Sequence, residues 1–138
     1  LYIGFQVRQG VIDQFEMRDR RSRIRPLSLT LTLLILCLVI MWARAAPVDY
    51  LYLTAAGSVF LGLFLLITLT WKISGHTSAA AGFAGLIFGF WGGWTFPVLL
   101  LPLLVAWSRI HLNRHSPAQT GAGLLLGSAA AFTILTLI

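Results

Sequence analysis

Residues 50–91 read YLYLTAAGSVFLGLFLLITLTWKISGHTSAAAGFAGLIFGFW. Two uncharged apolar runs, 50–71 and 77–91, flank the polar break Lys72-Ile73-Ser74-Gly75-His76. The first run is long enough to cross a bilayer core as a helix, which takes about 20 residues. The second is rich in Ala and Gly. Together they predict a helix that crosses a membrane, a short polar turn, and a helix that returns.

The same reading extends to both sides. Residues 27–43 form another uncharged run, joined to 50–71 by the polar turn 44–49, which holds Pro47. After 77–91 come the turn signal GGWT at 92–95, a Pro-interrupted run at 96–107, a polar loop at 108–116, and a last apolar run from Pro117 to the end. Pro117 suits a helix start. The expected fold is all-α, a polytopic transmembrane bundle of about five spans. An N-terminal interfacial helix precedes it, because residues 1–17 mix apolar and polar side chains. One domain covers 1–138: a basic interfacial segment at 1–26 and a helical bundle at 27–138. Gly85/Gly89 and Gly123/Gly127 are small-xxx-small pairs that let helix backbones approach closely. Trp91 and Trp94 suit an interfacial aromatic belt.

Composition agrees. The 138 residues are 58% hydrophobic and only 10% charged, against roughly 25% charged in a soluble domain. The single cysteine, Cys37, excludes an intrachain disulfide. The stretch 1–25 is polar and basic with no apolar core, so it does not read as a secretory signal. A net charge of +6 raises the question of nucleic acid. The basic residues lie beside apolar segments and lack interleaved stacking aromatics, which argues against that partner.

Counting crossings locates the polar residues. With five spans, RDRRSRIRP at 18–26, the break at 72–76 and the loop at 108–116 all fall on one side of the membrane. That side receives His76, His111 and His115, and nine of the ten Lys and Arg residues; Arg44 alone is opposite. The positive-inside rule puts this side in the cytoplasm. Carboxylates are scarce, being Asp13, Glu16, Asp19 and Asp49, so paired-carboxylate catalysis is disfavoured. His111 and His115 stand four apart, but Arg109 and Arg114 beside them would repel a metal cation, and no metal site is expected. The clustered arginines and imidazoles are suited to an anion such as phosphate.

These segments resemble the three signature motifs of the type-2 phosphatidic acid phosphatase superfamily. The first motif there is Lys, six residues, Arg-Pro; this chain has Arg18, six residues, Arg25-Pro26. The second is Pro-Ser-Gly-His, and here it is Ile73-Ser74-Gly75-His76. The third is Ser-Arg, five residues, His, three residues, Asp, and here it is Ser108-Arg109, five residues, His115, three residues, Gln119. The resemblance implies a membrane-embedded phosphatase acting on a lipid phosphomonoester or pyrophosphate, of the phosphatidate or polyprenyl phosphate type, with no cofactor. It implies His115 as nucleophile, through a phosphohistidine, and His76 as general acid and then base. Gln119 would orient His115. Arg18, Arg25, Lys72, Ser74, Gly75 and Arg109 would bind phosphate.

Three departures stand out. Arg18 replaces Lys, Ile73 replaces Pro, and Gln119 replaces the Asp that would give the histidine a full negative charge. They leave a second reading open: a non-catalytic membrane subunit that keeps the fold, binds lipid headgroups, and associates with other membrane subunits or with itself.

Overall fold

The computed structural model describes residues 20–137; the expected interfacial helix and Arg18 lie outside them. Every regular element described is helical: α1 (Arg20–Ala43), α2 (Val48–Thr70), α3 (Gly75–Trp91), a 3-10 helix (Gly93–Leu99), α4 (Leu100–His111) and α5 (Pro117–Leu137). Among the described residues, four segments are long and apolar enough to cross a membrane: Arg21–Ala43, Val48–Thr70, Gly93–His111 and Pro117–Leu137. The expected span at 77–91 lies within α3, whose 17 residues cover roughly 26 Å at 1.5 Å per residue. This is short of a ~30 Å hydrocarbon core.

Other boundaries move for local reasons. α1 runs through Pro26, so the basic segment 20–26 forms the first turns of the first span. The GGWT turn is a single residue, Gly92 at φ +80°, after which the chain winds at once as the 3-10 helix. Ser108 to His111 belong to α4 rather than to a loop. Between α1 and α2, Ala45 takes φ +52°. The Ala46 N–H returns to the Met41 carbonyl (3.0 Å), a Schellman end that reverses the chain.

The packing is inverted relative to a water-soluble protein. Most buried positions are small or polar, among them Ser58, Thr68, Thr77, Ser78, Ala81, Ala84, Gly123, Gly127 and Ala131; Phe64, Ile73 and Ile134 are the large apolar exceptions. Large apolar side chains point outward, with Leu125 75% and Phe132 70% exposed. In water such a surface would aggregate; in lipid it faces the solvent. Most hydroxyls in the spans bond back to their own helix, as Thr68 does to the Phe64 carbonyl (2.7 Å) and Ser58 to that of Thr54 (2.8 Å), while Thr54 reaches Met41 Sδ on α1. A medium without water requires such internal partners. All five tryptophans are exposed. Trp42, Trp91 and Trp94 lie at one end of the helices and Trp71 and Trp107 near the other, giving two interfacial belts.

α3 and α5 are parallel and in close contact. A Cβ added at Gly123 would lie 2.7 Å from the Ser74 carbonyl oxygen, and one at Gly127 would strike that of Ser78. Further along, Gly85 meets Ala131 and Gly89 meets Leu135. Residue numbers rise together, so both helices start at the same end. That end also holds the start of α1 and the end of α4.

Candidate active site

The spacing between Arg109 and His115 becomes a turn of defined geometry. α4 ends in a second Schellman cap: the Arg114 N–H reaches the Arg109 carbonyl (3.0 Å) and the Asn113 N–H reaches that of Ile110 (2.9 Å). Asn113 supplies the left-handed residue at φ +53°, a conformation Asn tolerates better than most residues. The His115 N–H then also reaches the Arg109 carbonyl (3.2 Å). The five intervening residues thus fold back and bring the His115 backbone onto that of Arg109.

Ser116 and Gln119 open α5 as a capping box. The Gln119 N–H donates to Ser116 Oγ (3.3 Å), and the Ser116 N–H donates to Gln119 Oε1 (3.1 Å). A backbone N–H can only donate, so this bond fixes which end of the Gln119 amide is oxygen. The same Oε1 lies 3.1 Å from His115 Nδ1. Nδ1 must therefore carry the proton, and Nε2 carries the lone pair. The ring is buried, at 8% exposure. Burial, and then the charges of Lys72, Arg23 and Arg109, lower its pKa from 6.5 to about 4, although the Gln119 bond acts in the opposite direction. At neutral pH the imidazole is uncharged.

The SGH segment starts α3. Ser74 is the N-cap; its Oγ accepts the Thr77 N–H (3.4 Å) and bonds to the Thr77 hydroxyl (2.7 Å). The side chain is fully buried, so its hydroxyl holds the helix start rather than facing the surface. Its N–H donates to the Gln119 carbonyl (3.2 Å), which joins the starts of α3 and α5. Gly75 has its own packing reason: a Cβ there would lie 3.2 Å from the Phe64 ring. His76, one residue on, is exposed in the first turn of α3.

The cations come from three segments. Arg23 Nη1 donates to the carbonyl of buried Ile73 (3.4 Å), and Lys72 Nζ donates to that of Arg114 (3.1 Å). Arg23, Lys72 and Arg109 are all close enough to depress His115. Arg25 is exposed; two helical residues from Arg23, it is turned by about 200° and cannot share its face. Arg23 was not singled out from the sequence, because a run of five arginines does not show how its helix is rotated. Ser116 was overlooked as well, although the S-x-x-Q pattern signals a capping box. His111 stacks on Trp107, with ring centroids 5.3 Å apart, on the outside of α4.

The structure therefore brings together Lys72, Ser74, Arg109, His115 and Gln119 at one end of the bundle, with Arg23 added. A neutral imidazole whose Nε2 lone pair is held among cations can attack an electrophile that carries negative charge. A sequence model of the PAP2 superfamily matches residues 53–138, more than half the chain. It covers the segments around His76 and His115 and begins downstream of the basic run. No match was found among curated proteins or among solved structures. Family match, helical bundle and histidine motifs agree: the chain belongs to the PAP2 superfamily.

Proposed function

We propose that the protein is a membrane phosphatase that removes a phosphoryl group from a lipid phosphate of the phosphatidate or polyprenyl type. The observation that carries this reading is the Gln119 bond to Nδ1, which leaves Nε2 of His115 as a lone-pair nucleophile beside Arg23, Lys72 and Arg109. Nε2 attacks phosphorus, the P–O bond to the leaving group breaks, and a phosphohistidine forms. His76 protonates the leaving oxygen. It then takes a proton from the water that splits the P–N bond and releases inorganic phosphate.

Arg109, Lys72 and Arg23, with Arg18 from the basic run, neutralise the phosphoryl oxygens as charge builds on them. Ser74 and Gly75 contribute by setting the first turn of α3, whose N–H groups favour an anion. No cofactor is needed for these steps. The excess of Lys and Arg at this end supports a cytoplasmic orientation.

Gln119 favours a second reading, a non-catalytic subunit, because an amide cannot neutralise an imidazolium. Phosphate release from a panel of lipid phosphates, with purified protein in detergent or vesicles, separates the two. The phosphatase reading expects release by the native protein and a loss of at least about 1,000-fold in His115→Ala, the scale for deleting a nucleophile. Equal release by His115→Ala would end the mechanism. No release by either protein would favour the subunit.

A further inference from the structure

Between α2 and α5, within the membrane-spanning part of both helices, lies a cleft of about 260 Å³. Residues from Tyr52 to Leu63 line one wall and from Leu126 to Leu137 the other, each wall running roughly 17 Å at 1.5 Å per residue. Resting on the phosphatase reading above, we propose that this cleft seats the hydrocarbon chain of the lipid whose phosphate meets His115, and that it selects substrates by chain length. Its width comes from small residues, Ala55 and Ala56 on one wall and Ala129 and Ala130 on the other. Among the described residues, none that lines it is charged, and the Thr133 hydroxyl is bonded to the Ala129 carbonyl (2.9 Å). Such walls suit hydrocarbon and disfavour a polar headgroup, which would lose its water without gaining partners.

Helical register ties the cleft to the site. Leu126, Ala129, Ala130, Thr133 and Leu137 follow the spacing of one helix face. Continued toward the start of α5, the same face carries Ala122 and Gln119, the residue bonded to His115. Gln119 stands seven residues before Leu126, roughly 10 Å along the axis. On α2 the wall continues through Leu66 and Ile67 to Thr70, two residues before Lys72. A chain that hangs from a phosphoryl group at His115 therefore runs down this face, crosses ~10 Å, and enters the cleft. A cavity of about 150 Å³ admits benzene, so by proportion this one takes roughly ten carbons. Lipid tails are as apolar as the cleft, so burial alone does not draw the chain in. The contribution is orientation: remote contacts hold the phosphate in line, and truncated substrates lose turnover as well as binding.

The test compares butyl phosphate, too short to reach Leu126, with hexadecyl phosphate, long enough to enter the cleft. The measured quantity is kcat/KM for both, on the full chain in detergent, in the native protein, Ala56→Phe and Ala130→Phe. Partitioning into detergent is the same for all three proteins, so the ratio between the two substrates isolates the cleft. A phenyl ring on either wall should lower the hexadecyl-to-butyl ratio by about tenfold, the scale of overfilling a packed site, and leave butyl phosphate turnover near native. Leu125→Phe, at the same depth but 75% exposed, should change neither. An unchanged ratio in both cleft variants would overturn the assignment; if their oligomeric mass changed as well, the cleft would belong to a second copy. Binding of hexadecylphosphonate, which cannot be hydrolysed, separates the cleft from the phosphatase reading. Binding that weakens in the cleft variants, with neither ester hydrolysed, would support the cleft and refute the phosphatase. Ester hydrolysis with an unchanged ratio would do the reverse.

Discussion

Replacing Gln119 by glutamate tests the electrostatics of the site at nearly constant shape. In Gln119→Glu an oxygen stays near the present Oε1 position, 3.1 Å from His115 Nδ1, and gains a negative charge. Opposite charges about 4 Å apart attract by ~4 kcal/mol at an effective dielectric of about 20. That corresponds to about 3 pKa units. Gln119 is half-buried, and solvent reduces the shift to about 1–3 units. The native ring has a pKa of about 4, so the variant should titrate at roughly 5 to 7.

The sign follows directly. The reactive form is the neutral ring, so the acid limb of the kcat/KM profile should move up in pH by the same 1–3 units. Above pH 8 both rings are neutral, and the variant should turn over faster because its carboxylate stabilises positive charge as the N–P bond forms. Folding should survive, since Glu is also a capping-box residue and favours a helix N-terminus by about 0.3–1 kcal/mol. The assay is a pH series of phosphate release, with thermal unfolding as control. An acid limb that stays in place or moves down, in a folded variant, would refute the assigned hydrogen bond and its tautomer.

Three further outcomes follow from the same geometry. Gly127→Ala should destabilise the fold by about 1–3 kcal/mol, because its Cβ meets the Ser78 backbone carbonyl, which cannot rotate away as a side chain would. Gly121→Ala, with nothing within 4 Å, should instead stabilise by up to about 1 kcal/mol through helix propensity; thermal midpoints in detergent check the pair. Ala45→Gly relieves a left-handed residue at φ +52° at the end of the bundle away from the site, and should stabilise by about 1 kcal/mol with turnover unchanged. The native protein should also lose stability on acidification. The folded His115 pKa of about 4 lies below the 6.5 of the free side chain, so stability present above pH 6.5 falls as pH drops toward 4, by up to about 3 kcal/mol. A midpoint that rises over that range would contradict the burial of the neutral ring.

The ordering of apolar runs and polar breaks was enough to bring three distant segments to one end, because crossings alternate whatever the details of packing. The helical register was not legible. Arg23 and Arg25 look equivalent in RDRRSRIRP, and the fold distinguishes them: Arg23 reaches the Ile73 carbonyl and Arg25 is exposed. Roles taken from residue type also shifted. Ser74 reads as a hydroxyl donor to substrate, but a serine before a helix is equally a cap, and burial decides for the cap. Gly75 reads as clearance for an anion, but the clearance is filled by Phe64. Gln119 reads as a weakened Asp. In place it holds the start of α5 and the His115 ring with one oxygen, a double use that follows from Ser116 standing next to His115. The length of α3 was not legible either: Ala and Gly give 77–91 the hydropathy of a span, and the helix has 17 residues, roughly 26 Å.

In the proposed mechanism His115 carries the phosphoryl group during turnover. Its most direct measurement is mass spectrometry of protein quenched with alkali while hydrolysing a lipid phosphate, conditions chosen because a P–N bond is acid-labile. One phosphoryl group is expected on His115, attached at Nε2, and none in His115→Ala. Steady phosphate release with no label on His115, or with the label on another residue, would contradict it.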